Sequence, residues 1–124
     1  LSTSSEELGR AALAILAARE NLELIRRWAE ARSLEDLRAD ILVRYAIERA
    51  FIALDAAMRD IPLEIVDRHA LPAHLIAGFR NALAHTYDDI LDERVIMTIR
   101  EDLPALDARL AAIQASLPDA ANGS

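Results

Sequence analysis

Apolar residues recur along most of this chain with the period of a helix buried on one side. Leu8, Ala12, Ile15, Leu22, Ile25 and Ala29 form the first such stripe. Just before it, SSEEL has the S-x-x-E spacing of a capping box, Ser4 to Glu7. A first helix is therefore expected to begin near Ser4 or Ser5. A second stripe on it, Leu13, Leu16, Leu24 and Trp28, points to burial on two sides, within a bundle and against a partner. A turn is expected at Ala31–Ser33, with Ser33 capping a second helix that runs to about Arg59. Val43, Ile47, Phe51, Leu54 and Met58 make its apolar face. Glu48 and Asp55 share another face with Tyr45 and Ile52, and Arg44 lies one turn before Glu48, where the two can pair.

Pro62 opens a short segment, LEIVDRH, of one or two helical turns. Pro72 opens the next long helix, AHLIAGFRNALAHTY, and Asp92 is the expected cap of the last one. From Val95 the spacing Ile99, Leu103, Leu106, Leu110, Ile113, Leu117 keeps its phase across Pro104. Proline removes a backbone bond and crowds the preceding turn, so a kink or break is expected near Pro104. The pattern predicts an all-α fold, an antiparallel bundle of four to five helices joined by short connections. Residues 1–117 read as one domain and 118–124, PDAANGS after Leu117, as a disordered tail.

Composition supports this. Of 124 residues, 53% are hydrophobic, while only three are Gly and four Pro, so the chain can bury a core and is rich in helix formers. There is no Cys, which excludes disulfides and thiolate-bound metal. The opening LSTSSEELGR is polar and acidic, and no apolar run approaches a membrane span, so a cytoplasmic location without membrane contact is expected. All 14 basic residues are Arg, which reads as a coding bias, and the net charge is −7. That charge argues against a broad nucleic-acid-binding surface and confines any phosphate chemistry to a local site.

One such site is visible. FRNALAHTYD, residues 79–88, places Arg80, Asn81, His85 and Tyr87 within an otherwise apolar helix. At about 100° per residue, Leu75, Phe79 and Leu83 with Ile76 face the core, and Asn81 stacks under His85. Arg80 and His85 fall about 140° apart by the same projection, too far for one straight helix to aim both at a small ligand. Either the helix end distorts or two copies combine. Gly78, mid-helix, is a candidate for close approach of another backbone, such as a two-fold copy of the helix. His85 lies near a helix C-terminus and before Asp88 and Asp89, surroundings that favour imidazolium and suit proton transfer. Arg80 offers a planar cation for phosphate, and Asn81 can position phosphate or imidazole. This set fits metal-free cleavage of RNA, where the 2′-OH is the nucleophile. The plainer account is a surface Arg, a half-buried His and a Tyr covering the bundle end. His69 and His74 make a poor metal site, and no metal or cofactor is expected.

Arg80-Asn81-Ala-Leu-Ala-His85-Thr-Tyr87 matches an R-N-x-x-x-H-x-Y form of the R-x4-H motif. It resembles the HEPN superfamily in its HepT-like toxin branch. RYAIERAFIALDAA resembles the second helix of that family, and AGFRNALAHTYDDI followed by IREDLPALDARL resembles its ending. The resemblance covers residues 8 to 116. It implies a five-helix bundle that forms a homodimer, with a composite site for metal-independent endoribonuclease activity at the dimer interface. It implies an RNA-cleaving toxin of a type VII-like toxin–antitoxin pair. The partner would be an MNT-type nucleotidyltransferase antitoxin that silences it by adenylylation (AMPylation) of Tyr87. Arg80 and His85 would be catalytic and Asn81 would assist. Glu48 and Asp55 are candidates for a supporting role, although solvated or salt-bridged helix charges are the favoured account of both. The alternative function is a non-catalytic helical subunit that binds substrate or nucleotide for a minimal nucleotidyltransferase, and a bare dimerisation domain is a third.

Overall fold

Helix-forming side chains, punctuated by capping residues, divide the chain into the segments seen in the computed structural model, which describes residues 4–88 and 91–118, Tyr87 by its backbone alone. The order is α1 (Ser5–Ala29), α2 (Leu34–Ala39), α3 (Ile41–Arg59), α4 (Leu63–Arg68), α5 (Ala73–Tyr87), α6 (Glu93–Met97), a π-helical turn (Thr98–Asp102) and α7 (Leu103–Ser116). The described residues contain no strand, and the fold is an all-α antiparallel bundle. Residues 119–124 of the expected tail lie outside the described residues.

The Ser4 hydroxyl accepts the Glu7 N–H at 3.1 Å and donates to the Glu7 carboxylate at 3.3 Å, which starts α1 at Ser5. Ser33 and Asp36 form a full capping box at the start of α2. The single helix expected from Ser33 to Arg59 is in fact two. Asp40 adopts an extended backbone, φ −100°, and its carboxylate accepts the N–H groups of Leu42 and Val43, each at 3.2 Å. An N-cap inside the helical pattern thus restarts the chain as α3. After α4, Ala70 takes the left-handed conformation, φ 47°. Its N–H bonds to Asp67 O at 3.2 Å and the Leu71 N–H to Val66 O at 3.4 Å, the paired bonds of a Schellman turn.

The break near Pro104 takes the form of the π-helical turn. The Leu103 N–H reaches back five residues to Thr98 O, and Pro104 sits in the first turn of α7. A wide turn accommodates the missing N–H without redirecting the apolar face. Val95, Ile99, Leu103, Leu106, Leu110 and Ile113 are all buried. They meet Ile15, Leu22 and Ile25 of α1, Ile47, Phe51 and Leu54 of α3, and Leu75 and Phe79 of α5 in one core. α1 packs chiefly on α3 and α7, and α5 packs on α3, α6, the π turn and α7. Arg19 ties α1 to α7, donating to Asp107 at 2.9 Å and Gln114 at 2.6 Å. Of the second stripe of α1, Leu13 is 69% exposed, Leu16 46% and Leu24 36%, while Trp28 packs partly buried against the core. Among the described residues, no helix is long and apolar enough to cross a membrane.

Candidate functional site

The rotation of α5 is set by what it buries. Leu75, Phe79, Ala82 and Thr86 recur at helical spacing and are all buried. The Thr86 hydroxyl donates to Ala82 O at 2.7 Å, so this polar group is satisfied within its own helix. Ala77, Arg80, Asn81 and Ala84 are consequently exposed, and His85 is half-buried on one flank.

Arg80 and His85 face different grooves. Arg80 lines a groove of about 480 Å³ with Ile52, Asp55, Arg59, Leu83 and Asp88. Its Nε donates to Asp55 Oδ1 at 3.3 Å, while Arg59 Nε donates to Asp55 Oδ2 at 2.8 Å. Asp55 is only 17% exposed, so α3 supplies a largely enclosed carboxylate that holds both guanidinium groups. The guanidinium carbon of Arg80 also stands 5.8 Å from the centre of the Phe79 ring. Across the helix, Asn81 and His85 line a cavity of about 410 Å³ walled by Arg94, Thr98, Glu101 and Asp102. His85 Nδ1 stands 3.6 Å from Asp92 Oδ2. The separation of Arg80 from His85 anticipated from the helical projection is therefore present: one chain does not bring them to one point.

Two details differ from the sequence reading. The carboxylate facing His85 is that of Asp92. Asp88 lines the Arg80 groove, and Asp89 lies outside the described residues. Asp92 also accepts the Val95 N–H at 3.1 Å, and this bond, ahead of the facing His85, holds its carboxyl below the usual range. Gly78 admits a side chain of the same chain where a second backbone was expected. A Cβ there would stand 2.8 Å from Asp102 Oδ2. Glu48 is half-buried on α3, two turns before Asp55, and lines neither groove. Tyr87 is the last residue of α5. Sequence reasoning had Asp92 only as a cap and missed Arg94, Glu101 and Asp102 altogether. The one signal available, for Glu101 and Asp102, was that IREDLPALDARL follows the motif closely. Among the described residues, no group of three or more acidic or His side chains is gathered as a metal site.

An all-helical bundle carrying R-N-x-x-x-H-x-Y on α5, with Asp55 beside Arg80 and Asp92 beside His85, is of the HEPN class. Comparison with known proteins narrows this. The family model described as Ribonuclease HepT-like matches residues 18–113. A protein of Thermococcus cleftensis named probable ribonuclease HepT is 30% identical over 92 residues, which are 73% of this chain and 83% of the relative. No solved structure matches. The chain belongs to the HepT-like ribonuclease family.

Proposed function

We propose that this protein is a metal-independent endoribonuclease toxin whose active site forms between the α5 helices of two copies. One observation carries the reading: Arg80 and His85 lie on opposite flanks of α5, each beside its own carboxylate, with an exposed ridge of Ala77 and Ala84 between them. Small residues on a ridge allow close helix–helix approach. A two-fold packing along it, with the axis parallel to the helices, brings the Arg80 flank of one copy toward the His85 flank of the other.

The chemistry then follows from the side chains. A neutral His85 takes the proton of the ribose 2′-OH as the oxygen attacks the adjacent phosphorus. Arg80 neutralises the charge that grows on the non-bridging oxygens, with Asn81 as a further donor. The P–O5′ bond breaks, and the His85 that took the 2′-OH proton returns it to the leaving oxygen. The products are a 2′,3′-cyclic phosphate and a 5′-hydroxyl. Asp55 keeps Arg80 extended along the groove until phosphate arrives. Silencing follows from adenylylation of Tyr87, two residues from His85 in sequence, by an MNT-type nucleotidyltransferase: the AMP group adds bulk and negative charge that oppose binding of RNA.

The second reading, a non-catalytic subunit that binds substrate or nucleotide for such a nucleotidyltransferase, draws on the net charge of −7 and on the arginines already paired with carboxylates, Arg19, Arg26, Arg27, Arg59 and Arg80. The test is RNA cleavage in excess EDTA by protein shown by mass to be unmodified at Tyr87, with His85→Ala alongside. Cleavage by wild type alone is expected. Its absence from unmodified wild type would transfer the assignment to the binding subunit.

A further inference from the structure

We infer that Asp92 is a positioning residue that holds the proton of neutral His85 on Nδ1 and so presents Nε2 to the cavity. The catalytic consequence rests on the function proposed above, whereas the tautomer does not. Asp92 is fixed at both oxygens: Oδ1 accepts the Val95 N–H at 3.1 Å and Oδ2 stands 3.6 Å from His85 Nδ1. Because Asp92 is the N-cap of α6, its side chain is not free to swing away. His85 is 31% exposed and Asp92 34%, so the contact is partly shielded from water. At 3.6 Å the contact lies just beyond hydrogen-bonding range, and such contacts tighten when a ligand closes a site.

Among the described residues, the carboxylate within ion-pair distance of Nδ1 is that of Asp92. Asp102 packs against Gly78, seven residues before His85 and so about 10 Å along the helix. Arg94 and Glu101 are exposed at the cavity wall, and Asp88 lines the opposite groove. In a neutral imidazole one nitrogen donates and the other accepts, and the partner of the first decides which. A carboxylate can only accept, so a bond between the two requires the proton on Nδ1. Free histidine favours the proton on Nε2, the form that cannot act as a base from Nε2. Asp92 therefore selects the minority tautomer that leaves the lone pair on Nε2, on a ring that lines the same cavity as Asn81.

The test is Asp92→Asn, which retains an N-cap nearly as good as Asp and removes the charged acceptor. The 15N shifts of the His85 ring report the tautomer directly by NMR, and cleavage kinetics report its use. In wild type the neutral ring is expected mainly as Nδ1–H. In Asp92→Asn it should move toward Nε2–H, with kcat falling about 10- to 100-fold and KM little changed, the scale typical of partners that orient a reactive histidine. A wild-type ring protonated on Nε2, or a tautomer unchanged in the variant, overturns the inference. A shifted tautomer with undiminished kcat overturns the positioning role. If wild type cleaves no RNA, the ribonuclease reading fails, and the ring shifts still decide the tautomer.

Discussion

Complementation between two inactive variants offers the sharpest check on a composite site. Arg80 and His85 are five residues apart, hence about 140° around α5 and about 7.5 Å along it. With side chains ending about 5–6 Å from the axis, their tips are roughly 10 Å apart across the helix as well. Both must lie within about 3 Å of one phosphate to share its chemistry, so a cis site would require α5 to unwind. Arg80→Ala and His85→Ala should each lower cleavage by about 10²–10⁴-fold. Random exchange between the two makes about half of the dimers mixed, and each mixed dimer carries one intact Arg80 and one intact His85 in the shared cleft. Cleavage should then recover to between about a quarter and a half of wild type, depending on whether the cleft works from one side or both. The assay uses the two variants with different tags, co-expressed and exchanged, with native mass spectrometry to count mixed dimers and a fluorogenic RNA to read cleavage. Mixed dimers without recovery would refute the composite site, as would a wild type that is active as a monomer.

Tyr87→Phe should cleave RNA like wild type and escape silencing by a nucleotidyltransferase antitoxin, read as cleavage after incubation with the antitoxin and ATP; silencing that persists rejects Tyr87 as the target. Gly78→Ala gains about 1 kcal/mol of helix propensity and displaces the Asp102 carboxylate from 2.8 Å, an off-rotamer cost of about 0.5–1.5 kcal/mol. Its thermal midpoint should thus stay near wild type, and a large loss would mean that more than a side-chain tip occupies that space. Ala70→Gly removes a left-handed penalty of about 1 kcal/mol and should raise the midpoint by a few degrees, whereas a lower midpoint would contradict the φ of 47°. The hydrogen bond and charge of Arg26, with Arg27 behind them, hold Glu23 down to about 2. A depressed carboxylate contributes stability above its unfolded value of about 4.3 and loses it as pH falls toward 2. Glu23→Gln should therefore lower the midpoint slightly at neutral pH and low salt and match wild type near pH 2; an equal deficit at both pH values would place the effect elsewhere.

Much of this molecule was determined locally. Helix periodicity comes from side chains three and four residues apart, and caps such as Ser4, Ser33 and Asp92 act on backbone groups within three residues. The apolar faces and the angular separation of Arg80 from His85 were therefore legible in sequence. So was the family resemblance, which local spacing carries. Asp40 was legible in principle, but the apolar pattern on both sides of it read as one helix, and only the extended backbone there settled the matter. Contacts between helices are a different kind of fact. The chain offers many carboxylates, and nothing local says that Asp55 meets Arg80 from 25 residues away or that Asp102 fills the space over Gly78. Those pairings follow from how α3, α5 and the π turn rotate to bury Phe51, Phe79 and Ile99 together. The same rotation, fixed by the core, sends Arg80 into one groove and His85 into another beside Asp92. Sequence determined which chemical groups α5 carries; burial of its apolar face decided which neighbours those groups would have.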